Sequence, residues 1–183
     1  MKQGFVKVAS ATPRIRVADP VYNAQVICEQ AKEAAEHGAK IVVFPELCIT
    51  GYTCNDLFLQ ELLLEKAKEA LLTIVEETGQ LEALFLVGLP VDKDGRLYNV
   101  AAVLYRGRIL GMIPKKNIPM YAEFYEGRHF TPGEETVTEY RLGKQEIPFG
   151  TNLLFRCEEL PELILGCELC EDLWVAEPPS TSH

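Results

Sequence analysis

Three polar side chains close apolar or loop-like runs in this sequence and are of types that together could cleave an amide. Glu46 follows the run Ala39 to Phe44 and Pro45, Lys115 follows Pro114, and Cys170 follows residues 162–169. A carboxylate can take a proton, a fixed cation can stabilise an oxyanion, and a thiol can attack a carbonyl carbon once it is deprotonated. An unperturbed thiol, with a pKa of about 8.5, is only a few per cent ionised at neutral pH, so Cys170 needs a neighbouring base or cation. Glu171 and Asp172 oppose its ionisation unless a lysine intervenes. Each residue also has a plainer reading: Glu46 as an acid at a sheet edge, Lys115 and Lys116 as solvated loop charges. The pair Cys167 and Cys170 has C-x-x-C spacing, but no second pair accompanies it and a strand would point the two to opposite faces.

The elements that must position these residues are legible in the pattern. Residues 5–11 alternate weakly before Pro13 and predict a strand. Val21, Ala24, Ile27, Cys28, Ala31, Ala34 and Ala35 recur at helical spacing, predicting a helix over 21–37 that stops at Gly38. Residues 39–44 predict a buried strand, residues 58–78 a helix closed by Gly79, and 84–89 a third strand. Two further strands, 97–105 and 108–113, are joined by a tight turn at Arg106-Gly107. Residues 150–156 and 162–169 predict two more, the second delivering Cys170. Strand, helix, strand in that order imply a right-handed crossover in a layered α/β fold. Pro114 to His129, interrupted by Pro119, reads as a loop rich in charge and rings, where a scaffold commonly carries chemistry.

Composition narrows the function classes. The 183 residues suit one domain, and 48% hydrophobic with 25% charged residues suits a folded core. A net charge of -9 argues against nucleic acid as a partner. The short apolar run near the N-terminus, broken by Lys7, argues against a membrane and for a cytoplasmic protein. Six cysteines, at 28, 48, 54, 157, 167 and 170, are too sparse for a disulfide framework and read as reduced thiols. The three histidines, 37, 129 and 183, form no evident pairing with a cysteine, and no phosphate loop or dinucleotide fingerprint occurs.

Phe44-Pro-Glu46-Leu-Cys-Ile-Thr-Gly51-Tyr52, Pro114-Lys115 with Tyr121 and Glu123, Phe130-Thr-Pro-Gly133 and Cys170-Glu-Asp172, taken in order, resemble the Glu-Lys-Cys signature of the nitrilase, or carbon-nitrogen hydrolase, superfamily. Within it, Gly51 to Phe58, Tyr121 to Arg128 and Cys170 to Trp174 most resemble the N-terminal glutaminase domains of glutamine-dependent NAD synthetases. The resemblance implies an α-β-β-α layered sandwich in a single domain over 1–183, incomplete at its C-terminal side. It implies Glu46 as general base, Lys115 as cation, Cys170 as nucleophile, Glu123 as a supporting acid, and Tyr121 and Glu171 as glutamine contacts. It implies no metal and no cofactor in this domain. ATP, Mg and deamido-NAD would belong to a synthetase domain that this chain lacks. Two other readings stand beside the glutaminase, a stand-alone nitrilase-type amidase and a non-catalytic α/β fragment serving as an interaction surface. With the last strand uncovered, the isolated piece is expected to self-associate as a homo-oligomer and to hydrolyse glutamine poorly.

Overall fold

The computed structural model describes residues 4–183. Its centre is a seven-stranded mixed sheet in the order β1-β2-β3-β4-β5-β7-β6. Strands β1 (Val8–Ser10), β2 (Ile41–Val43) and β3 (Leu84–Lys93) are parallel, whereas β4 (Arg96–Tyr105) runs antiparallel to both β3 and β5 (Arg108–Pro114). Helix α1 (Pro20–Glu36) connects β1 to β2, and α2 (Glu61–Glu77) connects β2 to β3. The expected crossover is therefore present twice. Asp19 caps α1 by accepting from the Tyr22 N–H at 3.1 Å, and Gly38 follows the helix with a φ of 84° that suits glycine.

Strand alternation divides the core into two layers. Phe85, Val87, Leu89 and Val91 of β3 and Val100, Ala102 and Leu104 of β4 pack with Ile27, Ala31, Ala67, Leu71 and Ile74 of the two helices. On the opposite face, Leu84, Leu86, Ala101, Val103 and Ile113 meet Leu153, Phe155 and Leu169. A small second sheet, β8 (Phe155–Arg156) antiparallel to β9 (Ile164–Leu165), lies in that layer. Mixed sheet, helical layer and second small sheet stack as the expected layered α/β fold. Among the described residues no helix is long and apolar enough to cross a membrane.

Two expectations need correction. The strands foreseen at 150–156 and 162–169 shrink to two residues each, because Thr151 and Asn152 turn, with the Thr151 N–H donating to the Glu134 carbonyl at 3.1 Å, and Pro161 interrupts the return. Cys170 therefore ends no strand; it opens a 3-10 turn, Cys170–Leu173. The sequence reading also passed over a hairpin, β6 (Thr138–Leu142) and β7 (Gln145–Phe149), joined at Gly143 and Lys144. Pro148 is unusual within a strand, since it lacks a backbone donor. It is tolerated because β7 joins β5 through the single pair Met112 and Phe149, which asks little of a missing donor.

Candidate active site

Strands β2, β3 and β5 share one direction, so the segments leaving β2 and β5 emerge at the same end of the sheet, where the open edges of α/β sheets gather ligands. Glu46 leaves β2 there, and Lys115 leaves β5. The turn that carries Glu46 lies directly over Gly88 of β3, with the Ile49 N–H donating to the Gly88 carbonyl at 3.1 Å. Lys115 is held by its backbone on both sides: its N–H donates to the Asn99 carbonyl at 2.8 Å, and its carbonyl accepts from the Gly133 N–H at 2.7 Å. Gly133 is required for that approach, since a Cβ there would lie 2.7 Å from the Pro114 carbonyl oxygen.

The Lys115 side chain is 0% exposed and donates to two carboxylates, Glu46 Oε1 and Glu126 Oε1, each at 2.7 Å. Burial alone would pull the lysine pKa down; the two carboxylates outweigh it and hold the pKa above its ordinary value. Lys115 is thus a permanent cation rather than a proton carrier. Asn99 donates through Nδ2 to Glu46 and, at 3.4 Å, to Glu126. The Tyr52 hydroxyl donates to Glu126 Oε1 at 2.7 Å. Beyond this group, Arg128 clasps Asp56 with bonds of 2.7 and 2.9 Å, tying the central loop to the segment after Gly51.

The acid beside the lysine is Glu126, not Glu123. Glu123 is exposed, one residue after Ala122, whose φ of 51° turns the chain, whereas Glu126 is buried at the head of a 3-10 turn. The loop has no periodicity from which to choose between the two. Asn99 was also passed over, although an amide inside the apolar run Leu97 to Tyr105 is a legible anomaly: a buried polar side chain requires partners.

Cys170 is exposed, and its φ of 44° places a non-glycine residue in the left-handed region. Leu47, next to Glu46, shares that region with a φ of 53°. Burial on its inner side pushes the Cys170 thiol up, Glu46 pushes it further, and Lys115 opposes them, with a net rise. The resting group is a thiol that must lose its proton to a base. Three other cysteines are less available: Cys48 and Cys167 are raised to about 12 and Cys28 to about 11, each by burial first. Tyr121 and Glu171 meet each other, the hydroxyl donating to Glu171 Oε2 at 2.7 Å. Lys116 turns away to pair with Glu135 at 2.7 Å.

A cavity of about 130 Å³ opens beside Glu126, lined by Tyr52, Phe58, Glu123, Tyr125 and His129 among others. The larger cavity, about 330 Å³, lies around Lys93, Arg96, Tyr98 and Phe149 and shares no residue with the site. Glu46, Lys115 and Glu126 touch directly, whereas the bearing of Cys170 on them is electrostatic. A base, a fixed cation and a raised thiol so arranged suit nucleophilic attack on a carbonyl carbon.

Comparison with known proteins places this geometry. The carbon-nitrogen hydrolase family model matches residues 7–180. A glutamine-dependent NAD(+) synthetase of Mycobacterium tuberculosis is 41% identical over 179 residues, covering 98% of this chain and 26% of that protein. The crystal structure of a glutamine-dependent NAD(+) synthetase from Cytophaga hutchinsonii superposes with a TM-score of 0.83 at 28% identity, over 91% of this chain and 28% of that one. An amidase from Nesterenkonia sp. shares the fold, with a TM-score of 0.59 at 23% identity over 78% of this chain and 54% of its own. The chain spans about a quarter of the length of the synthetases that it matches.

Proposed function

The chain belongs to the carbon-nitrogen hydrolase family, and from that premise we propose that it is the glutamine-hydrolysing domain of a glutamine-dependent NAD synthetase. The observation that carries the reading is the buried Lys115 bridging Glu46 and Glu126, a cluster whose three charges act on the Cys170 thiol, in a chain matched along nearly its whole length by synthetases of that name.

In this reading Glu46 accepts the Sγ–H proton of Cys170 and the thiolate adds to the side-chain amide carbon of L-glutamine. Lys115 and the Glu171 backbone N–H stabilise the oxyanion; a donor in the first turn of a 3-10 segment has no partner within that turn. One such donor is typically worth about 10² to 10³ in rate. The C–N bond breaks as Glu46 returns its proton to nitrogen, and ammonia leaves behind a thioester on Cys170. Water, deprotonated by Glu46, then adds to the thioester carbon; the C–S bond breaks, the Cys170 sulfur takes the proton back from Glu46, and glutamate leaves. Glu171, held by Tyr121, supplies the negative charge that the α-ammonium of glutamine requires. The ammonia would serve the ATP-dependent amidation of deamido-NAD; ATP, Mg and deamido-NAD are assigned no residue in this chain.

The test is product stoichiometry with a complete synthetase carrying this domain, since the isolated piece is expected to turn over poorly. Glutamine should give glutamate and ammonia one for one. Hydrolysis of simple aliphatic amides with no turnover of glutamine would move the protein to the amidases, and hydrolysis of neither would overturn the enzymatic reading.

A further inference from the structure

We propose that Asp172 is a positioning residue that fixes the Cys170 turn against the Lys115 loop. The inference rests on the glutaminase reading above and deepens it. Asp172 is 1% exposed. Its Oδ1 accepts from the Asn117 N–H at 2.7 Å and Asn117 Nδ2 at 2.9 Å, and its Oδ2 accepts from the Leu169 N–H at 3.0 Å and, more weakly, the Lys116 N–H at 3.4 Å.

The placement of those donors is what matters. Leu169 is the residue before Cys170, and Lys116 is the residue after Lys115, so one carboxylate grips the chain immediately beside the nucleophile and immediately beside the cation. Among the described residues no other hydrogen bond joins residues 115–117 to residues 169–173. The Asp172 N–H also donates to the Leu169 carbonyl at 3.0 Å, closing the turn from the other side. Cys170 needs such restraint, because its left-handed backbone persists only where the surroundings over-determine it. A carboxylate that receives N–H donors on both oxygens has no capacity left for a ligand, so its part is to hold the chain. An Asn side chain of the same shape would present an NH₂ group to donors that need an acceptor, breaking the grip on one side.

The test compares Asp172→Asn and Asn117→Ala with the wild type in the intact protein. Three readouts are taken: kcat and KM for glutamine, the rate of covalent labelling by an electrophilic glutamine analogue, and the rate of alkylation by iodoacetamide. Misplacement by about 1 Å can cost about 10²-fold in rate, so Asp172→Asn should lower kcat and analogue labelling by about that factor. KM and iodoacetamide alkylation should stay within about threefold, because uniform binding and thiol exposure are untouched. Asn117→Ala removes one donor of the four and should lower kcat by about fivefold, which decides the matter if Asp172→Asn does not fold. Unchanged kcat in a folded Asp172→Asn, or in Asn117→Ala, overturns the proposal. So does a parallel collapse of kcat, KM and alkylation, which is the mark of general damage. A wild-type protein without glutamine turnover removes the functional reading and this proposal with it, whereas an active wild type matched by the variants removes the proposal alone.

Discussion

In a complete synthetase carrying this domain, replacing Lys115 by Met should abolish glutamine-dependent NAD formation while leaving formation from free ammonia close to wild type. The lysine is fully buried between Glu46 and Glu126, and the substitution removes the oxyanion cation and the hydrogen-bond partner that the two carboxylates share. Losing one oxyanion donor costs about 10² to 10³ in rate, and disturbing the base adds to that. Removing one partner from a buried ion pair also costs about 3 to 5 kcal/mol while the remaining charge stays uncompensated. Assaying both nitrogen sources in one preparation separates damage at the site from loss of the fold. Equal loss of both activities would make Lys115 structural. Lys116→Met is the matched control: its solvent-screened pair with Glu135 contributes little, and both activities should survive.

Gly88→Ala should have the next largest effect, although Gly88 is not itself a reacting group. A Cβ on Gly88 would lie 2.4 Å from the Leu47 nitrogen, 2.7 Å from the Pro45 oxygen and 2.9 Å from the Glu46 carbonyl carbon. All three are backbone atoms of the turn that carries the base, so the turn must rise by roughly 1 Å to restore ordinary contact. Glutamine kcat/KM should fall by about 10²-fold, a displacement effect, and overpacking should lower stability by about 1 to 3 kcal/mol. Steady-state kinetics with a thermal melt checks both figures. Wild-type glutamine turnover in a fully folded Gly88→Ala protein would show that the Pro45 to Leu47 turn is not held where the site needs it.

Gly88 also shows where the sequence stopped being informative. Glu46, Lys115 and Cys170 were legible because each stands at the polar exit of an apolar or proline-marked run, and the motifs around them occur in a specific order. Helices α1 and α2 and the β3-β4-β5 hairpins were legible because period 3.6, period 2 and the Arg106-Gly107 turn are local signals. The choice between Glu123 and Glu126 depends on how a loop without period folds back on β4 and β5, and no local signal records that. Asp172 looked like a charge opposing the thiol. Its four N–H partners come mainly from residues about 55 positions away, so its binding role is set by the tertiary structure. The short β8 and β9 were overestimated for the same reason: Leu153, Cys167 and Leu169 serve the layer facing Ala101 and Val103 without strand pairing.

The central claim is that Glu46 and Lys115 activate the thiol of Cys170 toward the side-chain amide of glutamine. The measurement that bears on it most directly is the site and rate of covalent labelling by an electrophilic glutamine analogue, mapped by mass spectrometry at neutral pH, with iodoacetamide in parallel. The Cys170 thiol is raised above its ordinary value, by burial first and Glu46 next, against Lys115. Iodoacetamide, which relies on thiolate already present, should therefore react slowly at neutral pH and faster as pH climbs through that raised value. The analogue should react fast at neutral pH and on Cys170 alone, since bound in the site it meets a thiol whose proton Glu46 can take. Label on Cys48, Cys54 or Cys167, or an analogue no faster than iodoacetamide at Cys170, would contradict the account.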